Sequence, residues 1–218
     1  MTDTDTYDVL VIGGGPAGLS AALNLGRSLM RVLVVDADRP RNAATLNSHG
    51  FLTRDGVAPH ELRRMARDEL AAYPNIEVRT RVRVLELRRS APPADAGADA
   101  GTGSGTDSGT DAGFTASVGR KDPTDVVTAR SVLLATGLRE TLPDVPNLRG
   151  FYGISLFSCA ACDAWELRGR RLALIGETPD LADRARLISR WTESLTVFTL
   201  GADTVSYTHL TLPTILLV

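Results

Sequence analysis

The stretch Ser158-Cys-Ala-Ala-Cys-Asp-Ala-Trp165 holds both cysteines of the chain. Three chemistries are open to such a pair. A zinc site needs four ligands, and besides carboxylates only His49, His60 and His209 could help complete one. Two inert buried thiols are a second reading. A redox pair is the third. The spacing lets Cys159 and Cys162 close a small disulfide ring, such pairs often contain a thiol of lowered pKa, and the thiolate is the attacking species. Asp163 follows directly. It is a candidate general acid for a departing thiolate if burial raises its pKa, and otherwise a helix cap or a solvated acid.

A second constellation stands near the N-terminus. The apolar run from Tyr7 to Ile12 leads into Gly13-Gly-Gly-Pro-Ala-Gly18, then a helical pattern to about Leu29, then the run Arg31 to Val35 ending at Asp36. Strand, Gly-rich turn, helix and strand make a βαβ unit with parallel strands and a right-handed crossover. Gly13 allows the tight turn, Gly15 lets a pyrophosphate approach the backbone, and Gly18 lets helix and sheet pack closely. Free N–H groups at the helix start face the phosphates, and Asp36 is placed to accept hydrogen bonds from an adenosine ribose. A 2′-phosphate would be repelled there, so this half is expected to hold FAD or NAD. Ala17, Ala21 and Leu25 share one face of that helix at i, i+4 spacing.

These elements sit in a chain of 218 residues, 43% apolar and 23% charged, with net charge −2. That composition suits a soluble globular protein of one to two domains, with no basic surface for nucleic acid or an anionic membrane. The acidic start, MTDTDTYD, is unlike a signal peptide, and no apolar run approaches the ~20 residues of a membrane helix. A cytoplasmic location is expected. Pro59 to Tyr73 reads as an amphipathic helix with Leu62, Ala66, Leu70 and Tyr73 on one side. Ile76 to Thr80, Val82 to Leu87, Phe114 to Val118, Val126 to Ala129 and a buried Ser131 to Ala135 read as strands. Residues 91–113 contain no large apolar side chain and are expected to be a flexible insertion. The Pro-punctuated connector Leu142 to Leu148 suggests a boundary, with domains over 1–147 and 148–204. The second begins another βαβ: a strand at Arg171 to Ile175, a stripe of Leu181, Ala185 and Ile188, and a strand at Leu195 to Leu200. The end, VSYTHLTLPTILLV (205–218), lacks periodic continuity and resembles adapter sequence translated onto a shortened gene, a genuine apolar edge strand being the alternative. The expected chain is therefore a C-terminally shortened one.

The motifs Gly13 to Gly18, Asp36, Arg41-Asn42, His49-Gly-Phe-Leu52, Ala135-Thr-Gly137 and Cys159-Ala-Ala-Cys-Asp163 occur in the order seen in low-molecular-weight thioredoxin reductases, which are FAD-dependent pyridine nucleotide–disulfide oxidoreductases. The resemblance runs from about Tyr7 to Leu200 apart from the insertion. It implies an α/β fold: a Rossmann-like FAD-binding domain of three layers, with the start of an inserted second nucleotide-binding domain. It implies that FAD is held through Gly13, Gly15, Pro16, Ala17, Gly18, Asp36 and Asn42, with Thr136 and Gly137 near the dinucleotide. Cys159 and Cys162 would form the redox disulfide, Cys162 facing flavin and Cys159 facing substrate, with Asp163 as proton donor. The implied partner is thioredoxin or a small-molecule disulfide or dithiol, the parent a homodimer, and a domain rotation would alternate flavin access between dithiol and nicotinamide.

His49-Gly-Phe-Leu52 and Trp165-Glu166 also resemble a sister branch acting on small dithiols, which usually has His after the second Cys. Here Asp163 stands there, as in the reductases, but Ala164 replaces the usual glycine. The second Gly-rich turn departs further. In Ile175-Gly-Glu-Thr-Pro-Asp-Leu181 only Gly176 remains, Thr178 takes the place of the second glycine and Glu177 adds negative charge, so NADPH binding is in doubt. A flavin-dependent dithiol oxidase and a non-catalytic redox sensor are the competing readings.

Overall fold

A computed structural model of the protein describes residues 6–90 and 113–201. The expected insertion, except Gly113, and the expected foreign tail lie outside the described residues. The chain divides into two compact units, residues 1–43 with 60–139 and residues 44–59 with 140–218.

The first unit is a mixed sheet with helices. Its elements are β1 (Thr6–Ile12), α1 (Pro16–Arg27), β2 (Val32–Asp36), α2 (Pro59–Leu70), β3 (Ile76–Thr80), β4 (Arg83–Arg89), β5 (Phe114–Gly119) and β6 (Pro123–Leu134). The strand order is β3-β2-β1-β6-β5-β4. β1 pairs in parallel with β2 and β6, and β2 with β3, whereas β5 is antiparallel to β4 and β6.

β2 shows why the unit has three layers. Its residues alternate between faces, and both faces are apolar. Val32 and Val34 pack with Leu19 and Ala22 of α1 and Leu70 of α2. Leu33 and Val35 pack with Ala116, Val118 and Val127 of the β5–β6 hairpin. A strand covered on both sides reads as a continuous apolar run, and all five residues of β2 are buried.

The buried residues of α1 are Gly18, Leu19, Ala22 and Gly26, and Leu25 of the Ala17, Ala21 and Leu25 stripe packs beside them against the core. A Cβ at Gly18 would collide with the Gly13 carbonyl, and one at Gly26 would lie 2.5 Å from Ile76 Cγ1. The helix approaches the sheet so closely that its smallest residues must face inward. One expectation needs correction: the runs 126–129 and 131–135, expected as two strands with the second buried, belong to one strand, β6, whose end is not buried. β5 pairs with β6 only up to Ala129, while β1 continues to Leu134. With no described strand beyond Ala129 on the β5 side, Leu134 is 70% exposed.

A polar cluster closes the edge of this unit. Tyr7 is buried, and its hydroxyl donates to Glu77 Oε2 at 2.5 Å. Arg79 donates from Nε to Glu77 Oε1 at 2.6 Å and from Nη1 to Asp125 Oδ2 at 2.5 Å. Burial pushes the Glu77 carboxyl up, but the hydrogen bonds from Arg79 and Tyr7 outweigh it, and the group sits below its ordinary 4.5. A carboxylate depressed in the folded state stabilises above its unfolded pKa and loses that contribution as pH falls through the folded value. Stability is therefore expected to drop on acidification below about pH 4.5. Glu77→Gln should flatten part of that acid limb, by under about 1 kcal/mol because the pair is half open to water. Urea midpoints measured from pH 3 to 7 would check this.

The second unit contains a one-turn helix α3 (Ala160–Asp163), then β7 (Leu172–Ile175), α4 (Leu181–Ile188) and β8 (Leu195–Phe198). β7 and β8 are parallel, and Leu181, Ala182, Ala185, Leu195 and Val197 form the core between helix and strands. Among the described residues no helix is long and apolar enough to cross a membrane.

Candidate functional site

The chemistry-bearing residues fall into two groups, one in each unit. In the first unit, the Gly-rich turn between β1 and α1 opens onto a cavity of about 540 Å³. Gly13, Gly15, Pro16, Asp36, Asn42, Thr136 and Gly137 all line it. Ala17 lies exposed in the first turn of α1, and Gly18 does not line the cavity but packs on Gly13.

Each glycine is required for its own reason. Gly13 has φ +116°, which disfavours any side chain, and an added Cβ would also overlap the Ala135 carbonyl. Gly15 is the N-cap of α1, and an added Cβ there would meet open space. The backbone at Gly15 is thus bare on the side from which a ligand would come. No side chain caps α1, Pro16 follows at its first position, and the Leu19 N–H already donates to the Gly15 carbonyl, so the N–H groups of Ala17 and Gly18 are the ones without an intrahelical or side-chain acceptor.

Asp36 ends β2, 7% exposed, and its two oxygens differ. Oδ1 accepts the Asp38 N–H at 2.9 Å. Oδ2 is buried with no hydrogen-bond partner. An unpaired buried acceptor costs roughly 1–3 kcal/mol, and here it belongs to a residue of the cavity wall. The donor set therefore fits a dinucleotide: bare backbone and helix-start N–H groups for phosphates, and a carboxylate oxygen for a ribose hydroxyl.

Several wall residues are not among those the motifs point to. Gly14 is as constrained as its neighbours, because a Cβ there would lie 2.5 Å from Asp36 Cγ. Its signal is that Gly14 is itself a glycine at the variable position between Gly13 and Gly15. Arg39, Arg63 and Arg83 also line the cavity, as does Arg41 of the Arg41-Asn42 motif. Arg63 is 9% exposed although it sits beside the apolar stripe expected for α2.

In the second unit, Cys159 and Cys162 are joined in a disulfide with Cα atoms 5.3 Å apart. Cys159 is the N-cap of α3, and its carbonyl accepts the N–H groups of Cys162 and Asp163, both at 3.2 Å. The turn brings both sulfurs and Asp163 together, and all three residues are half-buried. The chain entering this turn is held by a carboxylate. Glu140 accepts from the Tyr152 hydroxyl and, at 2.5 Å, from the Ser158 hydroxyl.

His49, from the loop 44–59, places Nδ1 3.5 Å from Asp55 and 3.7 Å from Glu166. The two motifs shared with the sister branch thus meet in space. The Gly50 N–H donates to Asp55 at 2.8 Å and, helped by His49, holds that carboxyl below the usual range. Among the described residues no three His, Cys, Asp or Glu side chains are grouped to hold a metal ion.

The turn after β7 is filled by its own residues. A Cβ at Gly176 would stand 2.9 Å from Leu181 Cδ1. Asp180, the N-cap of α4, is held below the usual carboxylate range first by the Thr178 hydroxyl and then by Arg184, so it stays negative.

Comparison with known proteins agrees with this geometry. The family model for pyridine nucleotide-disulphide oxidoreductase matches residues 7–178. A curated "Probable thioredoxin reductase" of Arthroderma benhamiae is 32% identical over 197 residues, 90% of this chain and 44% of its own. The thioredoxin reductase tcpT of Claviceps purpurea is 31% identical over 180 residues, 82% of this chain and 49% of its own. The crystal structure of an oxidoreductase from Agrobacterium tumefaciens superposes with a TM-score of 0.80 at 31% identity, covering 98% of this chain and 65% of its own. The chain thus spans about half the length of these curated relatives. With a Rossmann-like first unit and a Cys-x-x-Cys disulfide in the second, the chain belongs to the pyridine nucleotide-disulphide oxidoreductase family, among its thioredoxin reductase-like members.

Proposed function

We propose that the whole protein is an FAD-dependent disulfide oxidoreductase whose Cys159–Cys162 pair relays two electrons to thioredoxin or a similar disulfide. The observation that carries this reading is the disulfide itself, set on one helical turn with Asp163 beside it. In this reading the first unit is the flavin domain and the second begins the nicotinamide nucleotide domain. Bound FAD would supply two-electron exchange between a nicotinamide and the disulfide.

The chain's own residues do the rest. Asp36 Oδ2 accepts from the adenosine ribose, and the bare Gly15 backbone and the start of α1 receive the pyrophosphate. Asn42, Thr136 and Gly137 complete the wall. Two electrons and two protons convert the Cys159–Cys162 disulfide to two thiols. Cys159 gives its proton to Asp163 as its thiolate attacks an external disulfide and forms a mixed disulfide, and Asp163 passes that proton to the thiolate expelled. Cys162 loses its proton to Asp163 in the same way, its thiolate attacks Cys159 Sγ and restores the internal disulfide, and the second thiolate takes up that proton and leaves as a thiol.

A second reading is favoured by the filled turn after β7, where Asp180 and Glu177 oppose a phosphate: a small dithiol would reduce the pair and oxygen would be the final acceptor, with no NADPH. Anaerobic addition of each reductant to the flavin-loaded protein decides between them. The reductase reading expects NADPH to bleach the flavin absorbance. Bleaching by a dithiol and not by NADPH would sink it in favour of the oxidase.

A further inference from the structure

Three buried side-chain atoms beside the cavity lack a hydrogen-bond partner, and they are of both kinds: the acceptor Asp36 Oδ2 and the donors Arg63 Nε and Arg67 Nη1. Arg63 lines the cavity, and its fork is already fixed, because Nη1 donates to Asp38 Oδ1 at 3.1 Å. Arg67 Nη1 stands 3.9 Å from Asp36 Oδ2, close enough for charge pairing and too far for a hydrogen bond. An orphaned buried guanidinium donor is costly. A ligand that repaired only one kind of orphan would leave the other. A phosphate oxygen accepts and does not donate, so it would serve the arginines and not Asp36. A hydroxyl both donates and accepts, so a vicinal diol serves both sides at once.

We propose that Arg63 is a ligand-binding residue that donates its Nε–H to the adenosine ribose whose hydroxyls donate to Asp36. The inference rests on the dinucleotide reading of the first crossover. It makes ribose recognition at this site a two-sided clamp, an acceptor from β2 and a donor from α2, with Arg67 balancing the charge of Asp36. Arg63 then determines specificity for the adenosine half of the cofactor and does nothing for the flavin half.

The test is binding, not turnover. Flavin fluorescence titrations on the full chain would give Kd for FAD and for FMN, which lacks adenosine. Displacement of FAD would compare ADP with 2′-deoxy-ADP. Arg63→Gln is expected to weaken FAD about tenfold or more, to leave FMN unchanged, and to narrow the wild-type preference for ADP over 2′-deoxy-ADP. Arg63→Lys keeps the charge facing Asp38 but lacks the fork, and should fall between. Circular dichroism melting of each variant reports the fold. Equal loss of FAD and FMN in both variants would make Arg63 a structural residue only and overturn the inference, as would unchanged FAD affinity in Arg63→Gln. If the wild-type chain bound FAD no better than FMN, the dinucleotide reading itself would fail and take this inference with it.

Discussion

Cys162→Ser is expected to abolish disulfide turnover while the loaded protein stays yellow. A serine oxygen cannot form the internal disulfide that must be reduced and restored in every cycle. The rate should therefore fall by about 10³-fold or more, the scale seen when a covalent nucleophile is removed. The loss could not be blamed on unfolding. The ring closed by Cys159 and Cys162 is short, so by chain entropy its removal costs only about 2 kcal/mol. The pair also lies in a different unit from the cavity. Cys159→Ser should be equally inactive. Asp163→Asn should be milder, about 10²-fold, the contribution of one general acid, with a weaker pH dependence of the rate. Turnover with thioredoxin or a small disulfide, measured beside the flavin absorbance, checks all three. Full activity in either serine variant would remove the cysteines from the mechanism.

The second large effect is expected at the Gly-rich turn, where two adjacent glycines should fail differently. Gly15 has φ −79°, and an added Cβ meets nothing. Gly15→Ala should therefore fold, at a cost within about 1 kcal/mol for a poorer N-cap. Its methyl would stand where a pyrophosphate must touch the backbone, so FAD affinity should fall by about 10- to 100-fold. Gly14→Ala pushes its methyl against the buried Asp36 carboxylate, whose Cγ would be 2.5 Å away. That carboxylate cannot retreat without leaving its bond to the Asp38 N–H. Gly14→Ala should lose FAD affinity at least as severely and also melt lower. Paired FAD titrations and melting curves would show the contrast. A Gly15→Ala protein that bound FAD normally would mean that no phosphate approaches that backbone.

These contrasts show what was legible in the chain before its fold. β1, α1 and β2 were readable because apolar runs, the glycine turn and the Asp36 terminus all point to one βαβ unit, and β3 was readable as a separate apolar run. The lining residues Gly13, Gly15 and Asp36 follow from the same register, whereas Thr136 and Gly137 were expected only from the family resemblance of Ala135-Thr-Gly137. The α1 packing was only partly legible: i, i+4 spacing marks the face of Ala17, Ala21 and Leu25, and Leu25 does pack on the core, but the buried Gly18 and Gly26 carry no apolar signal. Arg63 was hidden for a related reason. A buried arginine on a charged helix looks like any solvated one until its partners, Asp38 and the cavity, are placed in space. The single strand β6 was read as two because Arg130 interrupts its apolar pattern, yet backbone pairing with β1 runs through it from Thr128 to Leu134. The meeting of His49 with Glu166 joins residues far apart in the chain, and no local pattern could announce it.

In the proposed relay, electrons move between FAD and the Cys159–Cys162 disulfide. An anaerobic reductive titration of the FAD-loaded protein counts them. Four electrons per flavin are expected, two for the flavin and two for Cys159–Cys162, and two in the Cys162→Ser variant. A wild-type protein that took up only two, leaving the disulfide oxidised, would contradict the proposed relay.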